Sequence, residues 1–178
     1  MGILDFLRGK KAPSYDPTNI KITDLDEGFV FDYDLQSWTV KRKSTYDWGD
    51  NFFSYEYQIF NGTKTMSLSV EEEDEITVEI STPISITKVD DTLPQYINTH
   101  EKAPYSIQFE QKEYRLVSES PGYFQKDSNS EWEELITWRY ESRDSNKLID
   151  IDQWDDMEFE ASISYSIKPY EISNILPR

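Results

Sequence analysis

The sequence predicts an all-β protein: an antiparallel meander in two pseudo-repeated halves, packed as a sandwich or an open barrel, with a short helical connector. Apolar and polar residues alternate over most of the chain, and the alternating pattern occurs twice. Between the two copies the alternation stops. Period two places alternate side chains on one face of a strand, so each run of this pattern predicts a strand.

In the first half the alternation appears in four runs separated by turn residues. Asn61-Gly62 supplies the positive φ angles of a hairpin turn between two of the runs. The positions between the apolar residues are mostly Glu, Ser, Thr and Lys, as expected where one face of a sheet meets water. The runs are Phe29, Phe31 and Tyr33; Phe53, Tyr55, Tyr57 and Ile59; Met66, Leu68 and Val70; Ile76, Val78 and Ile80.

The second half repeats the pattern of the first. Ile107 and Phe109 follow Phe31 and Tyr33 at an offset of 76 positions. Later runs repeat at an offset of 81 positions, which aligns Leu68 with Ile149 and Val70 with Ile151. A longer loop over 126–131 accounts for the change in offset. The alternative is chance, because any two strand-rich segments resemble each other weakly.

The repeat sets the predicted domain organisation. The halves cover 20–88 and 104–178, joined by 89–103, where Leu93–His100 is predicted as a helix because Pro94 favours a helix start. Each half has about five strands, too few to enclose a core comfortably, so residues 20–178 are predicted to form a single domain.

Residues 1–19 are predicted to be a hydrophobic-basic tail and a linker. Ile3, Phe6 and Leu7 precede a basic cluster of Arg8, Lys10 and Lys11. A helix this short is marginal in water, so the tail is expected to order only on a membrane surface or in a partner's groove. The alternative is a frayed terminus.

Charge and composition exclude several classes of function. The chain has 35 acidic and 18 basic residues, a formal net charge of −17, which repels nucleic acid and anionic membranes and attracts basic partners. Cysteine is absent, which removes disulfides and thiolate sites. No membrane-spanning run or signal sequence is visible, and a cytoplasmic location is expected.

No catalytic or cofactor motif is present. The six glycines are isolated, so the sequence has no phosphate-binding loop, and His100 is the only histidine. The acidic segments 71–75 and 150–156 are read as turns, and they lack the ligand spacing of an EF-hand. Carboxylate pairs of the glycosidase kind occur by coincidence among so many acids. We expect no enzyme activity, no cofactor and no metal site.

Four segments resemble the bacterial domain of unknown function 4178 family: Phe31–Val40, Tyr46–Asn51, Glu131–Trp138 and Asn174–Pro177. The resemblance spans roughly residues 20–178 and rests on structural signatures. It implies a bacterial cytoplasmic accessory protein, with relatives often found beside membrane-stress or polyamine-related partners. It implies no active-site residue.

Three tryptophans fall outside the predicted strands, and they suggest the candidate site. Trp48, Trp132 and Trp154 lie among acidic and turn-forming residues, whereas Trp38 and Trp138 fit buried strand positions. A loop Trp either folds back onto the core or meets a partner. Aromatic rings among carboxylates suit a cation or a basic protein surface. The candidates for binding are Tyr46, Trp48, Asp50, Trp132, Asp152, Trp154 and Asp155.

The sequence therefore favours a non-enzymatic interaction module that binds a basic partner protein through acidic, aromatic loops. The main alternative is a protein that binds a small, polyamine-like polycation with the same side chains. A DNA mimic and a carbohydrate-active enzyme are less favoured. The sequence does not determine the oligomeric state.

Overall fold

The computed structural model describes residues 15–154 and 158–177. The predicted tail-docking residues Ile3, Phe6 and Leu7 and the candidate Asp155 lie outside the described residues. Strands account for most of the described chain, with two short α-helices and two 3₁₀ turns at Ile22–Asp24 and Pro169–Glu171. No helix in residues 15–154 and 158–177 has the length and apolar character to cross a membrane.

The strands are β1 (Val30–Tyr33), β2 (Gln36–Asp47), β3 (Phe53–Phe60), β4 (Thr65–Glu72), β5 (Ile76–Ile84), β6 (Ser106–Phe109), β7 (Lys112–Gln125), β8 (Trp132–Glu141), β9 (Leu148–Trp154), β10 (Phe159–Ile167) and β11 (Ser173–Leu176). The helices are α1 (Ile86–Val89) and α2 (Leu93–His100).

Eight of the strands close into a ring. Neighbours pair antiparallel in the order β2, β3, β4, β5, β10, β9, β8 and β7. The C-terminal end of β7 then pairs with the end of β2, through Tyr46 opposite Phe124 and Asp47 opposite Tyr123. β1 extends the sheet from β2 and pairs with β11, while β6 pairs with β7. The ring has an inner face and an outer face.

The two repeats are related by an approximate two-fold axis through the ring. A β-bulge interrupts β2 between Val40 and Arg42, and another interrupts β7 between Leu116 and Ser118, 76 positions later. At one junction Asp47 pairs with Tyr123, 76 positions away. At the other, Thr82 pairs with Ile163, 81 positions away. At each junction a residue therefore pairs with its own equivalent, which places the axis there.

Strand registers correct one part of the predicted repeat. Tyr57 pairs with Leu68 in β3–β4, and its equivalent Trp138 pairs with Ile151 in β8–β9. Leu68 therefore corresponds to Ile151, an offset of 83 positions, and the predicted match with Ile149 is wrong. The hairpin between β8 and β9 is two residues longer than its mate. A shift of two residues leaves every side chain on the same face, so alternation alone cannot detect it.

The apolar cores lie on the outer face of the ring, one on each repeat. Tyr57, Ile59, Leu68 and Ile80 belong to the first core, which the turn at Ile22–Asp24 helps to cover. The second is built on Tyr140, Ile149 and Ile151 and packs beneath α2. Trp38 and Trp138 are buried in these cores, as predicted. The predicted antiparallel meander in two repeated halves with a helical connector is confirmed.

Candidate functional site

The inner face of the ring encloses a polar chamber of about 480 Å³. Every strand of the ring contributes side chains to it, because the residues that alternate with the outer cores point inward. Serine and threonine make up much of the lining. The charged residues that line the chamber are Glu56, Glu71, Glu79, Asp150, Asp152 and Arg139.

The bulge in β2 determines which residues face the chamber. Before the bulge, Trp38 and Val40 pack into the outer core. One residue is then inserted, so later even-numbered positions point to the opposite face, and Tyr46 lines the chamber. The bulge in β7 does the same for Ser118 and Ser120.

Four aromatic rings meet along one part of this inner face. Tyr46 and Trp48 stack with their centroids 5.2 Å apart and an interplanar angle of 3°. Phe124 lies 4.9 Å from Tyr46, and Trp154 lies edge-on to Phe124 at 5.2 Å. Trp48 is further fixed by its indole N–H, which donates a 2.9 Å hydrogen bond to Ser54 Oγ.

Gly122 makes room for the Trp48 ring. A Cβ atom at this position would lie 2.7 Å from Cε3 of Trp48 and 2.9 Å from the backbone oxygen of Asp47. Any other residue would therefore displace the indole or the β2 backbone. Trp48 also borders a second cavity of about 550 Å³ that is lined by Tyr123, Gln153 and Trp154.

Arg139 connects carboxylates from two distant strands across the chamber. Its Nη1 and Nη2 donate to the carboxylate of Glu79 in β5 at 3.1 and 2.8 Å. Its Nε and Nη2 donate to Asp150 in β9 at 2.7 and 3.0 Å, and Ser164 donates to Asp150 at 3.1 Å. Burial alone lowers the pKa of Arg139, but the bonds to Asp150 and Glu79 more than offset it and raise the pKa. In the described lining, the basic side chain of Arg139 is thus already paired with two carboxylates.

Glu56 and Asp152 form no salt bridge with any of the described basic residues. Burial raises the pKa of Asp152 to about 7, supported by the charges of Asp150, Glu56 and Glu160 and opposed by the 2.6 Å hydrogen bond from Thr137. Burial also raises the pKa of Glu56, against the opposing effects of Ser67 and the charge of Arg42. Both carboxyl groups therefore retain protons at a higher pH than exposed acids do.

The Tyr46 hydroxyl faces the same carboxylates. Burial raises the pKa of Tyr46 well above its usual value, and the charges of Glu56, Asp152, Glu160 and Asp150 add to the effect. Among the described residues, the buried side-chain atoms without a hydrogen-bond partner include the indole N–H of Trp154, which lies beside Phe124. The chamber thus combines a stacked aromatic pair with two carboxyl groups that form no salt bridge within the described residues.

Comparison with known proteins identifies the family. The model of the domain of unknown function 4178 family (DUF4178) matches residues 26–169. The chain belongs to the DUF4178 family. It is 27% identical over 154 residues to an uncharacterized protein from Aquifex aeolicus (strain VF5), covering 86% of this chain and 84% of that protein. No solved structure is detectably similar to the chain.

In this DUF4178 protein the ring brings together four of the predicted binding residues. Tyr46, Trp48 and Asp152 line the chamber, and Trp154 reaches them through Phe124. Asp50 lies apart from them, exposed in the β2–β3 turn with φ 52°. Trp132 is 44% exposed and lies on the outer face of the ring.

The predicted loop location is wrong for several residues. Trp132 is the first residue of β8, and Trp154 is the last residue of β9. Asp150 and Asp152 lie within β9 and not in a turn. Flanking acidic residues suggested loops, but inside this ring acidic side chains alternate with the outer core in regular strands. Trp48 does lie outside a strand, directly after β2.

Sequence reasoning missed Glu56, Glu79 and Arg139. Each alternates with residues of an outer core, so each was read as a solvated position on the exposed face of a sheet. The signal that could have found them is the density of acids and hydroxyls at the inward positions of β3, β4, β5 and β9. That signal becomes interpretable only when the sheet is known to close.

Proposed function

We propose that this DUF4178 protein binds a small polycation of the polyamine type inside the chamber. One observation carries the proposal: Glu56 and Asp152 are partly buried carboxyl groups that line a cavity of about 480 Å³, and Arg139, the basic residue in the described part of that lining, is already bonded to Glu79 and Asp150. This volume falls within the range of small-molecule sites, roughly 300 to 1,000 Å³. A cation that pairs with these groups would remove the cost of ionising them in the interior.

The aromatic residues support a cationic ligand. Tyr46 and Trp48 line the chamber as a stacked pair, and aromatic rings attract ammonium groups through their quadrupoles. The Tyr46 hydroxyl offers an additional acceptor. The net charge of −17 also raises the local concentration of cations around the protein.

Calorimetric titration with spermidine tests the proposal. We expect wild-type protein to release heat at physiological ionic strength with one ligand per chain. Asp152→Asn should weaken binding at least tenfold, because a charge-assisted hydrogen bond contributes about 1.5–3 kcal/mol. Asp50→Asn removes the same charge from the exposed β2–β3 turn and should bind as wild type does.

The two variants separate this function from general attraction to a negative surface. Equal weakening in Asp50→Asn and Asp152→Asn would indicate screening of net charge and would contradict a site inside the ring. The absence of heat with wild-type protein would contradict the function itself.

A second candidate is the function that the sequence favoured, the binding of a basic partner protein. Its support is the outer face at the β2–β7 junction, where four aromatic side chains are exposed: Phe53, Tyr55, Tyr123 and Trp132. Phe53, Asp47, Tyr123 and Glu134 form one cross-strand row. We name Phe53, Tyr55, Tyr123 and Trp132 the outer seam. Exposed aromatics beside carboxylates complement a surface rich in lysine and arginine.

Binding of poly-L-lysine, too large for the chamber, tests the outer seam. We expect Trp132→Ala to reduce the affinity severalfold, because a partly exposed Trp supplies apolar contact that salt does not screen. Tyr170→Ala, which removes an exposed aromatic far from the seam in sequence, is the matched control. Equal affinities of wild type and Trp132→Ala would count against this surface.

The expectations about location and catalytic activity remain proposals, as do the other functions that the sequence left open. We place the protein in the cytoplasm and treat it as a binding protein without catalytic activity. His100 lies at the end of α2, where its Nδ1–H donates a 2.8 Å hydrogen bond to the Tyr96 backbone oxygen, and it is absent from the chamber lining. The DNA mimic and the carbohydrate-active enzyme gain no specific support.

A further inference from the structure

Each repeat places one carboxyl group beside one hydroxyl group on the wall of the chamber. In the first repeat, Glu56 of β3 pairs with Ser69 of β4. In the second, Thr137 of β8 pairs with Asp152 of β9, and the Thr137 hydroxyl donates a 2.6 Å hydrogen bond to the Asp152 carboxylate. Residues that are directly opposite on paired strands share one face of a sheet, and all four side chains line the chamber.

The two pairs are equivalent under the two-fold axis. The offset of 81 positions between β3 and β8 relates Glu56 to Thr137, and the offset of 83 positions between β4 and β9 relates Ser69 to Asp152. The acid and the hydroxyl have exchanged strands, because the acid belongs to β3 in the first repeat and to β9 in the second. Each repeat therefore supplies one carboxyl group from an equivalent cross-strand pair.

The axis crosses the chamber between these two carboxyl groups. It passes through the β2–β7 junction and the β5–β10 junction. Around the ring, β3 and β4 lie between the junctions on one side, and β8 and β9 lie between them on the other. Glu56 and Asp152 therefore stand on opposite walls of one cavity. Burial is the main cause of the raised pKa of Asp152, and the charge of Glu56 adds to it, as expected for acids that share a cavity.

We propose that the ligand is a linear α,ω-diamine or polyamine that lies across the two-fold axis, with one terminal ammonium on Glu56 and the other on Asp152. The hydroxyl oxygens of Ser69 and Thr137 are further acceptors for the two ammonium groups. A molecule with the same cationic group at both ends matches a wall that presents an acid–hydroxyl pair from each side. The inference rests on the proposed function, because it names the class of polycation and its orientation in the same chamber.

Calorimetric titration with a series of diamines tests whether both ends of the ligand are held. The series runs from diaminopropane to diaminooctane, and butylamine supplies the same alkyl chain with a single ammonium. We expect one chain length to bind wild type most tightly, because the second ammonium gains from the first only when the chain spans both carboxyl groups. Butylamine should bind at least about tenfold more weakly than that diamine, since it forms one charge-assisted contact in place of two.

Two variants identify the carboxyl groups at the ends. Glu56→Gln and Asp152→Asn should each weaken the best diamine, and spermidine, by about tenfold. Butylamine should be affected less, because it can use the carboxyl group that remains. Glu73→Gln and Asp50→Asn make the same changes at exposed turns and should bind as wild type does. The melting temperature of each variant shows that the ring is intact.

The outcomes separate this inference from the proposed function. If one variant abolishes diamine binding and the other leaves it unchanged, the ligand is held at one end, and the inference fails while the function stands. An affinity that rises steadily with chain length would indicate apolar contact and would also overturn the inference. If neither spermidine nor any diamine binds wild type, the function itself fails.

Discussion

Arg139→Ala is expected to lower the free energy of unfolding by about 3 kcal/mol, because it leaves buried carboxylates without their counter-ion. Glu79 and Asp150 keep only 12% and 11% of their side-chain area exposed, and Arg139 binds both. Without the guanidinium, the two acids would repel each other and the nearby Asp152. The Arg139 side chain is itself 33% exposed, toward the chamber, which places the expected loss at the lower end of the range for buried pairs.

Thermal unfolding measures this effect. For a chain of this length we expect the melting temperature to fall by about 6–12 °C. Arg139→Lys should give an intermediate loss, since an ammonium cannot make the bidentate bond with Glu79. Arg115→Ala is the matched control: its ion pair with Glu113 is largely exposed, so its removal should leave the melting temperature almost unchanged.

A compensating variant distinguishes charge from packing. The triple variant Arg139→Ala, Glu79→Gln, Asp150→Asn removes the guanidinium together with both charges and should recover much of the lost stability. If the triple variant is no more stable than Arg139→Ala, the role of Arg139 is to fill space. If Arg139→Ala melts within one degree of wild type, the connection across the chamber contributes nothing measurable to stability.

Much of the fold could be predicted because the apolar positions of the alternating sequence pattern are the positions that form the outer cores. The alternation of Phe53 to Ile59 and of Met66 to Val70 marks β3 and β4, and the second copy marks β8 and β9. The closure of the ring could not be predicted from the sequence. It depends on the pairing of Asp47 with Tyr123, a long-range contact that neither strand's composition specifies.

The candidate site was predicted in part, and the closure of the ring explains why the rest was missed. Tyr46, Trp48 and Asp152 were identified from the mixture of aromatic and acidic residues, which is also what brings them together in the chamber. Glu56 and Arg139 were missed because a strand with one polar face normally turns that face to water. The polar positions of β3 and β8 are internal because the pairing of β2 with β7 closes the sheet into a ring.

The stability of the protein is expected to fall as pH rises from about 4 to about 7, and Asp152→Asn is expected to remove part of that fall. Burial raises the pKa of Asp152 from 3.8 to about 7, so folding favours its protonated form. A group with a raised pKa contributes stability that is fully present below the unfolded pKa. That contribution is lost progressively between pH 4 and pH 7.

Asparagine imitates the protonated carboxyl group at every pH and can still accept the hydrogen bond from Thr137. The variant should match wild type near pH 4 and exceed it in unfolding free energy by about 2 kcal/mol at pH 8. This figure is about half of what the pKa difference would give at 1.36 kcal/mol per unit, because the chamber admits water. Denaturant unfolding at three pH values measures it.

Asp50→Asn is the control, because it removes an exposed carboxylate from the β2–β3 turn. Its difference from wild type should be nearly independent of pH. A parallel decline of wild type and Asp152→Asn with rising pH would show that repulsion among surface acids, and not the ionisation of Asp152, destabilises the protein. Spermidine adds a further discrimination. If the polycation pairs with the ionised Asp152, it should stabilise wild type more at pH 8 than at pH 6, since at the lower pH it must first displace the proton.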